Sequence, residues 1–317
     1  MINNLRLSIT DQCNLRCLYC APLRHAKQFS AHEKLSFDEM VRIIRIMVRN
    51  GITKVKITGG EPLIVKNIVY LIARIKEMPG VQEISLTTNG VFLGEQAQTL
   101  KNAGLDRVNI SMDSLTPVPF QRITRRDCLD RVYAGLWKAL TVGFDAVKLN
   151  VVPLRGVNDH EIPHFVHLAM DNPLVVRFIE LFETNESSRQ YADYLISNRE
   201  IKERIQKQYG GLEKISSVVG DGPARYFQVG GTPAVIGFIS NYSEYFCHTC
   251  TRLRMDARGH IFPCLFSYPV CDLKRLIIDG KTDEAMGQVL KLIIRSKRRF
   301  HKDMHCNGQV EMSRVGG

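Results

Sequence analysis

Leu5-Arg6-Leu7-Ser8-Ile9-Thr10 and, two residues on, Cys13-Asn14-Leu15-Arg16-Cys17-Leu18-Tyr19-Cys20 form the stretch that decides how the chain folds. The first run alternates apolar and polar side chains, the period of a half-buried strand. This puts the cysteines on a loop at that strand's C-terminal end. Their spacing, Cys-x3-Cys-x2-Cys, lets three thiolates converge on one inorganic core. Structural zinc takes four closed ligands, yet the next cysteine is Cys128, and His25 is the nearest other donor. A cubane [4Fe–4S] cluster normally takes four cysteines, so three would leave one iron open to a small molecule. Spacing alone leaves both metals in play.

Beyond the cysteines a strand–helix rhythm fills the first two-thirds of the chain. Ser36-Phe37-Asp38-Glu39 has capping-box spacing and starts a helix that runs to about Asn50, stopped by Gly51. Strands follow at Thr53–Thr58, Glu83–Thr88, Arg107–Met112, Val147–Val152 and Val175–Leu181, separated by helices near Val65–Met78, Glu95–Ala103, Leu129–Val142 and Glu161–Met170. Six strands alternating with helices predict a parallel sheet with helices on one side. Six units fall short of the eight that close a barrel. The expected fold class is therefore α/β, an incomplete (β/α)6 barrel of the TIM type.

The strand faces divide cleanly. Arg6, Ser8 and Thr10 share one face of the first strand, and Leu5, Leu7 and Ile9 the other. The same division sets Lys54, Lys56 and Thr58 against Val55 and Ile57, and Ser85 and Thr87 against Ile84 and Leu86. Asn109 and Ser111, then Lys148 and Asn150, continue the polar face. The apolar face must pack on the helices, so the polar face lines the lumen. Cations buried there are costly without an anion or a wet cavity, which predicts a polar chamber that receives an anionic ligand. Thr58-Gly59-Gly60-Glu61-Pro62, Thr87-Thr88-Asn89-Gly90 and Ser111-Met112-Asp113-Ser114 end three successive strands at the rim where barrel sites are built.

From about Ser187 the rhythm stops, and paired glycines and prolines punctuate short strand-like runs. The expected division is a partial barrel over residues 1–210 and a smaller, irregular C-terminal domain over 211–317. Cys247-His248-Thr249-Cys250 with Cys264 is a second metal signal. Adding Cys271 makes it resemble a four-cysteine zinc ribbon; without Cys271 it is a second three-cysteine set. Arg252-Leu253-Arg254 lies between these ligands, its alternate arginines pointing one way and able to fork onto a phosphate or a purine. The chain ends Met312-Ser313-Arg314-Val315-Gly316-Gly317, a tail with no side chains at its tip.

The first cysteine array, with an aromatic before its last member, resembles the signature of radical S-adenosylmethionine (SAM) enzymes, and Gly59-Gly60-Glu61-Pro62 resembles their GGEP motif. Both triads, Arg252-Leu253-Arg254, Arg177-Phe178-Ile179-Glu180, Asp221-Gly222-Pro223-Ala224 and the terminal Gly-Gly together resemble the GTP 3′,8-cyclases of molybdenum cofactor biosynthesis, from Arg6 to Gly317. The resemblance implies two [4Fe–4S] clusters and SAM. Cys13, Cys17 and Cys20 would hold the cluster that binds SAM, with Tyr19, Gly60 and Ser111 touching SAM. Cys247, Cys250 and Cys264 would hold a second cluster in the C-terminal domain, whose open iron takes the guanine. Arg6, Lys54, Lys56, Thr87, Lys148, Arg177, Arg252, Leu253 and Arg254 would bind GTP. Arg252, Arg254, Gly316 and Gly317 would support catalysis. The implied reaction abstracts hydrogen from ribose C3′ and joins that carbon to guanine C8. Lys56 stands where the family commonly has arginine and Phe182 where a SAM-contacting methionine is usual; Cys271 is extra. The implied partners are GTP, an electron donor of flavodoxin or ferredoxin type and a downstream cyclic pyranopterin monophosphate synthase, with a homodimer left open. The alternative is a radical SAM enzyme with an auxiliary cluster acting on a peptide or RNA. A zinc protein that binds nucleic acid through its basic surface is the non-enzymatic reading.

Composition agrees with an anionic ligand without choosing it. The 317 residues carry a net charge of +11 and a pI of about 9.3, which favours nucleic acid or a phosphorylated small molecule. Part of that charge, from Lys291 to Lys302, is expected to be a solvated basic face. Nine cysteines is an odd number for a disulfide framework and favours metal in a reducing compartment. No apolar run approaches a membrane span, and Met1-Ile2-Asn3-Asn4 leads straight into the first strand. The expectation is a cytoplasmic protein with no membrane partner.

Overall fold

The computed structural model describes residues 2–20, 29–182, 190–216, 222–240, 250–297 and 314. Six strands, β1 (Asn4–Ser8), β2 (Lys54–Thr58), β3 (Glu83–Thr88), β4 (Arg107–Ser111), β5 (Ala146–Val151) and β6 (Val175–Ile179), lie side by side in chain order. Each pairs in parallel with the next. The helices that return the chain are α1 (Phe37–Arg49), α2 (Ile68–Lys76), α3 (Leu93–Asn102), α4 (Pro117–Thr124), α5 (Leu129–Val142) and α6 (Ile162–Asp171). The capping box forms as the spacing predicts: Glu39 N–H donates to Ser36 Oγ, and the Glu39 carboxylate accepts from Ser36 N–H. Helix α2 starts later than expected. Pro62–Ile64 closes a separate 3-10 turn, and Asn67 takes a left-handed φ of 61° before the helix begins. Helix α4 was not expected; Pro117 at its first position supplies the helical φ and needs no amide donor there.

The C-terminal residues extend this sheet on both flanks. β9 (Val235–Ile239) pairs in parallel with β6, and β10 (Arg252–Met255) pairs in parallel with β1. β7 (Leu212–Ile215) and β8 (Arg225–Val229) fold back antiparallel beyond β9, as β11 (His260–Phe262) and β12 (Cys271–Asp272) do beyond β10. The described residues thus form one twelve-stranded sheet in the order β12-β11-β10-β1-β2-β3-β4-β5-β6-β9-β8-β7. The incomplete α/β barrel is what was expected; its sheet is longer because the C-terminal part supplies both neighbours of the six-strand core. Helices α7 (Asn198–Tyr209), α8 (Leu273–Ile278) and α9 (Asp283–Ser296) complete the described α-helices.

Every strand sends its apolar alternates to one core. Leu5, Leu7, Val55, Ile57, Ile84, Leu86, Val108, Ile110, Leu149, Val176, Phe178, Leu253 and Met255 join the buried faces of the helices in a single cluster. The other face carries Arg6, Ser8, Lys56, Thr58, Thr87, Asn109, Ser111, Lys148, Arg177 and Arg254, as the alternation predicts. Among the described residues no helix is long and apolar enough to cross a membrane.

Candidate active site

The polar face opens into a cavity of about 310 Å³ at the C-terminal ends of the parallel strands. Cys13, Cys17, Tyr19, Cys20, Gly60, Thr87, Ser111, Arg6, Lys56, Arg177, Cys250, Arg252, Arg254 and Cys264 all line it. Phe182 and Glu180 join them. Three expected residues lie elsewhere. Lys54 stands two residues nearer the bottom of β2 and does not reach the cavity wall. Lys148 is buried behind the wall, with Nζ 3.2 Å from Tyr226 Oη. Leu253 points into the apolar core, as the residue between two lumen-facing arginines must. Cys247, Gly316 and Gly317 lie outside the described residues.

The N-terminal cysteine loop is held by backbone. Gly60 N–H donates to Thr10 O and Glu61 N–H to Gln12 O, both at 2.8 Å. This approach demands glycine: a Cβ on Gly60 would stand 2.1 Å from Gln12 O, and one on Gly59 2.5 Å from Thr10 O. The close approach expected of these glycines is therefore made to the cysteine loop itself. Further along, Arg16 N–H and Leu18 N–H donate to Thr124 O and Ile123 O. The unexpected helix α4 is thus the rail against which the loop lies.

Two buried carboxylates brace the same loop. Glu61 accepts from Leu63 N–H at 2.9 Å, Thr88 Oγ1 at 2.7 Å and Asn89 N–H at 2.6 Å. Asn89 in turn donates to Asn14 Oδ1 at 2.7 Å and touches Cys13 Sγ at 3.8 Å. Asp113 accepts from Tyr19 Oη at 2.5 Å and from Val152 N–H at 2.8 Å. Burial pushes Glu61 up to about 7 and Asp113 up to about 6, against the hydrogen bonds that favour their charged forms. Burial also raises the three thiols, Cys20 to about 12, and for Cys17 the neighbouring Asp113, Cys20 and Cys13 add to it. Glu61 sat in a motif that was recognised, but its bracing role depends on Asn89, 28 residues away, and no local pattern shows that.

The opposite wall is cationic. Burial, then Arg254, Arg252 and Arg177, drive the Arg6 guanidinium well below its ordinary value. Burial, then Arg252, lower Arg254 to about 9 against the pull of Cys264 and Cys250. Burial, then Arg6 and Arg177, push Lys56 down as well. Arginine does not surrender its proton in a protein, so this crowding persists as repulsion that an anion would relieve. Arg6 Nε and Arg177 Nε find no acceptor among the described residues. Arg177 Nη2 donates to Asn109 Oδ1 at 2.6 Å, and Gly237 leaves room for that side chain, since a Cβ would stand 2.9 Å from Arg177 Cγ. Cys250 differs from the first triad. Burial pushes it up, but Arg252 and Lys297 outweigh this and bring it to about 7. Cys271 is not on this wall: it pairs with Ile261 across β11 and β12 and packs on the core.

The N-terminal cysteines fit an iron–sulfur cluster. Among the described residues no three His, Cys, Asp or Glu side chains gather closely enough to hold a single metal ion, whereas a cubane spreads its thiolates over separate corners. Cys13, Cys17 and Cys20 line one volume, and Leu15 N–H, 3.4 Å from Cys13 Sγ, supplies a donor suited to thiolate.

Comparison with known proteins agrees with this geometry. The radical SAM superfamily model matches residues 7–169, and the Molybdenum Cofactor Synthesis C model matches residues 174–303. The GTP 3′,8-cyclase of Desulforamulus reducens is 42% identical over 317 residues, covering 100% of this chain and 98% of that protein. The enzyme of the same name from Heliobacterium modesticaldum is 41% identical with the same coverage. Among solved structures, Streptococcus suis SuiB bound to S-adenosylmethionine superposes with a TM-score of 0.62 at 16% identity, covering 90% of this chain and 67% of that one; this likeness speaks for the fold. A radical SAM core requires a [4Fe–4S] cluster and SAM, and the N-terminal triad is where this chain offers its thiols. The chain belongs to the GTP 3′,8-cyclase family of radical SAM enzymes.

Proposed function

We propose that this protein converts GTP to 3′,8-cyclo-7,8-dihydro-GTP, the first step of molybdenum cofactor biosynthesis. The observation that carries the reading is one cavity lined by Cys13, Cys17 and Cys20, by Cys250 and Cys264, and by a crowd of cations. Cys13, Cys17 and Cys20 hold the cluster, and Tyr19, Gly60 and Ser111 face SAM. The cluster and SAM, when bound, supply the carbon radical that starts the reaction. The work of the chain is placement. Arg6, Lys56 and Arg177 offer buried charge to the triphosphate, with Thr87 beside them; Lys148 supports the wall from behind through Tyr226. Arg252 and Arg254 reach the nucleotide from β10, while Leu253 fixes their register in the core. Lys56 meets the phosphates as a point charge where a guanidinium would fork.

Cys247, Cys250 and Cys264 hold a second [4Fe–4S] cluster with one iron left for guanine; the placement of Cys271 on the core side of β12 favours that open iron. Gly316 and Gly317, which lie outside the described residues, are assigned a supporting role in catalysis. Residues 1–210 act as the radical SAM unit and 211–317 as the substrate unit. The partners are a flavodoxin- or ferredoxin-type reductant and the synthase that consumes the cyclised nucleotide. Anaerobic incubation of reconstituted protein with SAM, GTP and a strong reductant should give 5′-deoxyadenosine and the cyclised nucleotide together. Deoxyadenosine without a nucleotide product would overturn the assignment, and RNA binding with a steep salt slope would favour a nucleic-acid substrate instead.

A further inference from the structure

Lys297 has no part in the roles assigned above, yet it is one of the most deeply buried cations in the molecule, 2% exposed. It is delivered by α9. Thr282 caps that helix by accepting from Ala285 N–H at 3.2 Å, and Asp283 pairs with Arg42 Nε on α1 at 2.7 Å. Met286, Leu290 and Ile293 bury the inner face, and Gly287 lets the helix come close to α1, where a Cβ would stand 3.3 Å from Asn50 Nδ2. The helix end is therefore fixed, and Lys297 N–H closes its last turn on Ile293 O at 3.1 Å.

From there the ammonium reaches the second cysteine set. Lys297 Nζ stands 3.4 Å from Cys250 Sγ and donates to the backbone carbonyl of Arg252. Arg252 Nε donates to the same sulfur at 3.3 Å. Two cations thus share one sulfur, and a buried ammonium is costly unless an anion answers it. Among the described residues the sulfur of Cys250 is the group within hydrogen-bond reach that can carry that charge, and thiolate is the form that binds metal.

We infer that Lys297 is a positioning residue for the second cluster: it orients the Cys250 sulfur as a ligand and pins the Arg252 backbone, so that one side chain sets both the cluster and the adjacent substrate arginine. The inference rests on the second-cluster reading proposed above. Partners that orient metal ligands contribute about 10–100-fold to metal affinity, and hydrogen bonds to ligand sulfur move a cluster's potential. Removing this donor drives the potential more negative, because the reduced cluster loses more stabilisation than the oxidised one.

The test uses the full chain, reconstituted anaerobically as wild type, Lys297→Met and Lys297→Arg. Iron and sulfide are counted before and after a chelator challenge, and the second cluster's midpoint potential is followed by redox titration. The first cluster is told apart by its spectral response to SAM, which also reports that the barrel is folded. Lys297→Met should lose the second cluster to chelator about 10–100-fold more readily and show a more negative potential in what remains, with the SAM response intact. Lys297→Arg should restore most of both. Equal chelator resistance and potential in wild type and Lys297→Met would overturn the inference, as would Lys297→Arg behaving like Lys297→Met. Wild-type protein holding only one cluster's worth of iron would overturn the second-cluster reading, and this inference with it.

Discussion

Cys13, Cys17 and Cys20 share a cavity with Cys250, and the supports behind them differ in charge. The N-terminal loop is braced by acids: Glu61 through Asn89, and Asp113 through Tyr19. Cys250 on the other side is braced by bases, Arg252 and Lys297. The thiols respond in opposite senses, Cys20 up to about 12 and Cys250 down to about 7. Burial is common to both, so the neighbouring charge makes the difference. The acid-braced side sets carboxylates behind its thiols. The basic side sets Arg252 and Lys297 against Cys250, groups that favour an anion. One chamber can thus hold two ligands of different charge without either taking the other's place.

Breaking the acid-braced side should have the largest effect. Gly60→Ala puts a methyl 2.1 Å from Gln12 O, an overlap that only displacement of the cysteine loop relieves. We expect a loss of roughly 3 kcal/mol in thermal unfolding and loss of the SAM-responsive cluster, with the second cluster retained. Equal iron loss from both would show that the two supports are not independent.

The basic side is tested by adding its counter-charge. Inorganic tripolyphosphate at a hundredfold excess over its Kd should stabilise the chain by about 2.7 kcal/mol, and rising salt should erode the gain. Arg6→Met should stabilise the ligand-free protein by about 1 kcal/mol, read as a higher melting temperature, because it removes a crowded cation. The same change should abolish most of the tripolyphosphate effect. A variant less stable than wild type in both conditions would contradict the repulsion described above.

Smaller effects separate bracing from chemistry. Tyr19→Phe removes the donor to Asp113 and should cost about 1 kcal/mol, read as earlier melting and weaker SAM binding. The mildest case lies on β11, where an acid supports a base. The hydrogen bond that His260 Nδ1 donates to Asp256 Oδ2, at 3.0 Å, raises His260 above its ordinary 6.5, against the opposing effect of burial. The folded state then binds the proton more tightly than the unfolded one. The stabilisation is complete below pH 6.5 and is lost as pH rises through the raised value. His260→Gln should flatten that part of the stability profile by about 1 kcal/mol or less.

What was legible in the sequence follows from the range of the interactions that set it. β3 and α5 match their expected spans because their apolar period and their flanking glycines are local; Gly143, for instance, ends α5 with a φ of 82°. The lumen face was legible for the same reason, since alternation along one strand fixes which side chains turn inward. Alternation does not fix depth, so Lys54 and Lys148 were expected at the wall and lie below or behind it. Helix α4 escaped notice because Pro117 and Pro119 break the ordinary pattern of a helical run. The parallel seats of β9 and β10, and the contact of Lys297 with Cys250, join residues far apart in the chain, and nothing near either partner announces them.

The position of β10 beside β1 has a consequence for how the protein is made. β1 leaves the ribosome long before one of its two neighbours, which begins only at Arg252. At ordinary elongation rates the nascent chain carries an unpaired strand edge for on the order of tens of seconds, and such edges recruit other chains. A product cut short before Arg252 keeps that edge unpaired for as long as it survives.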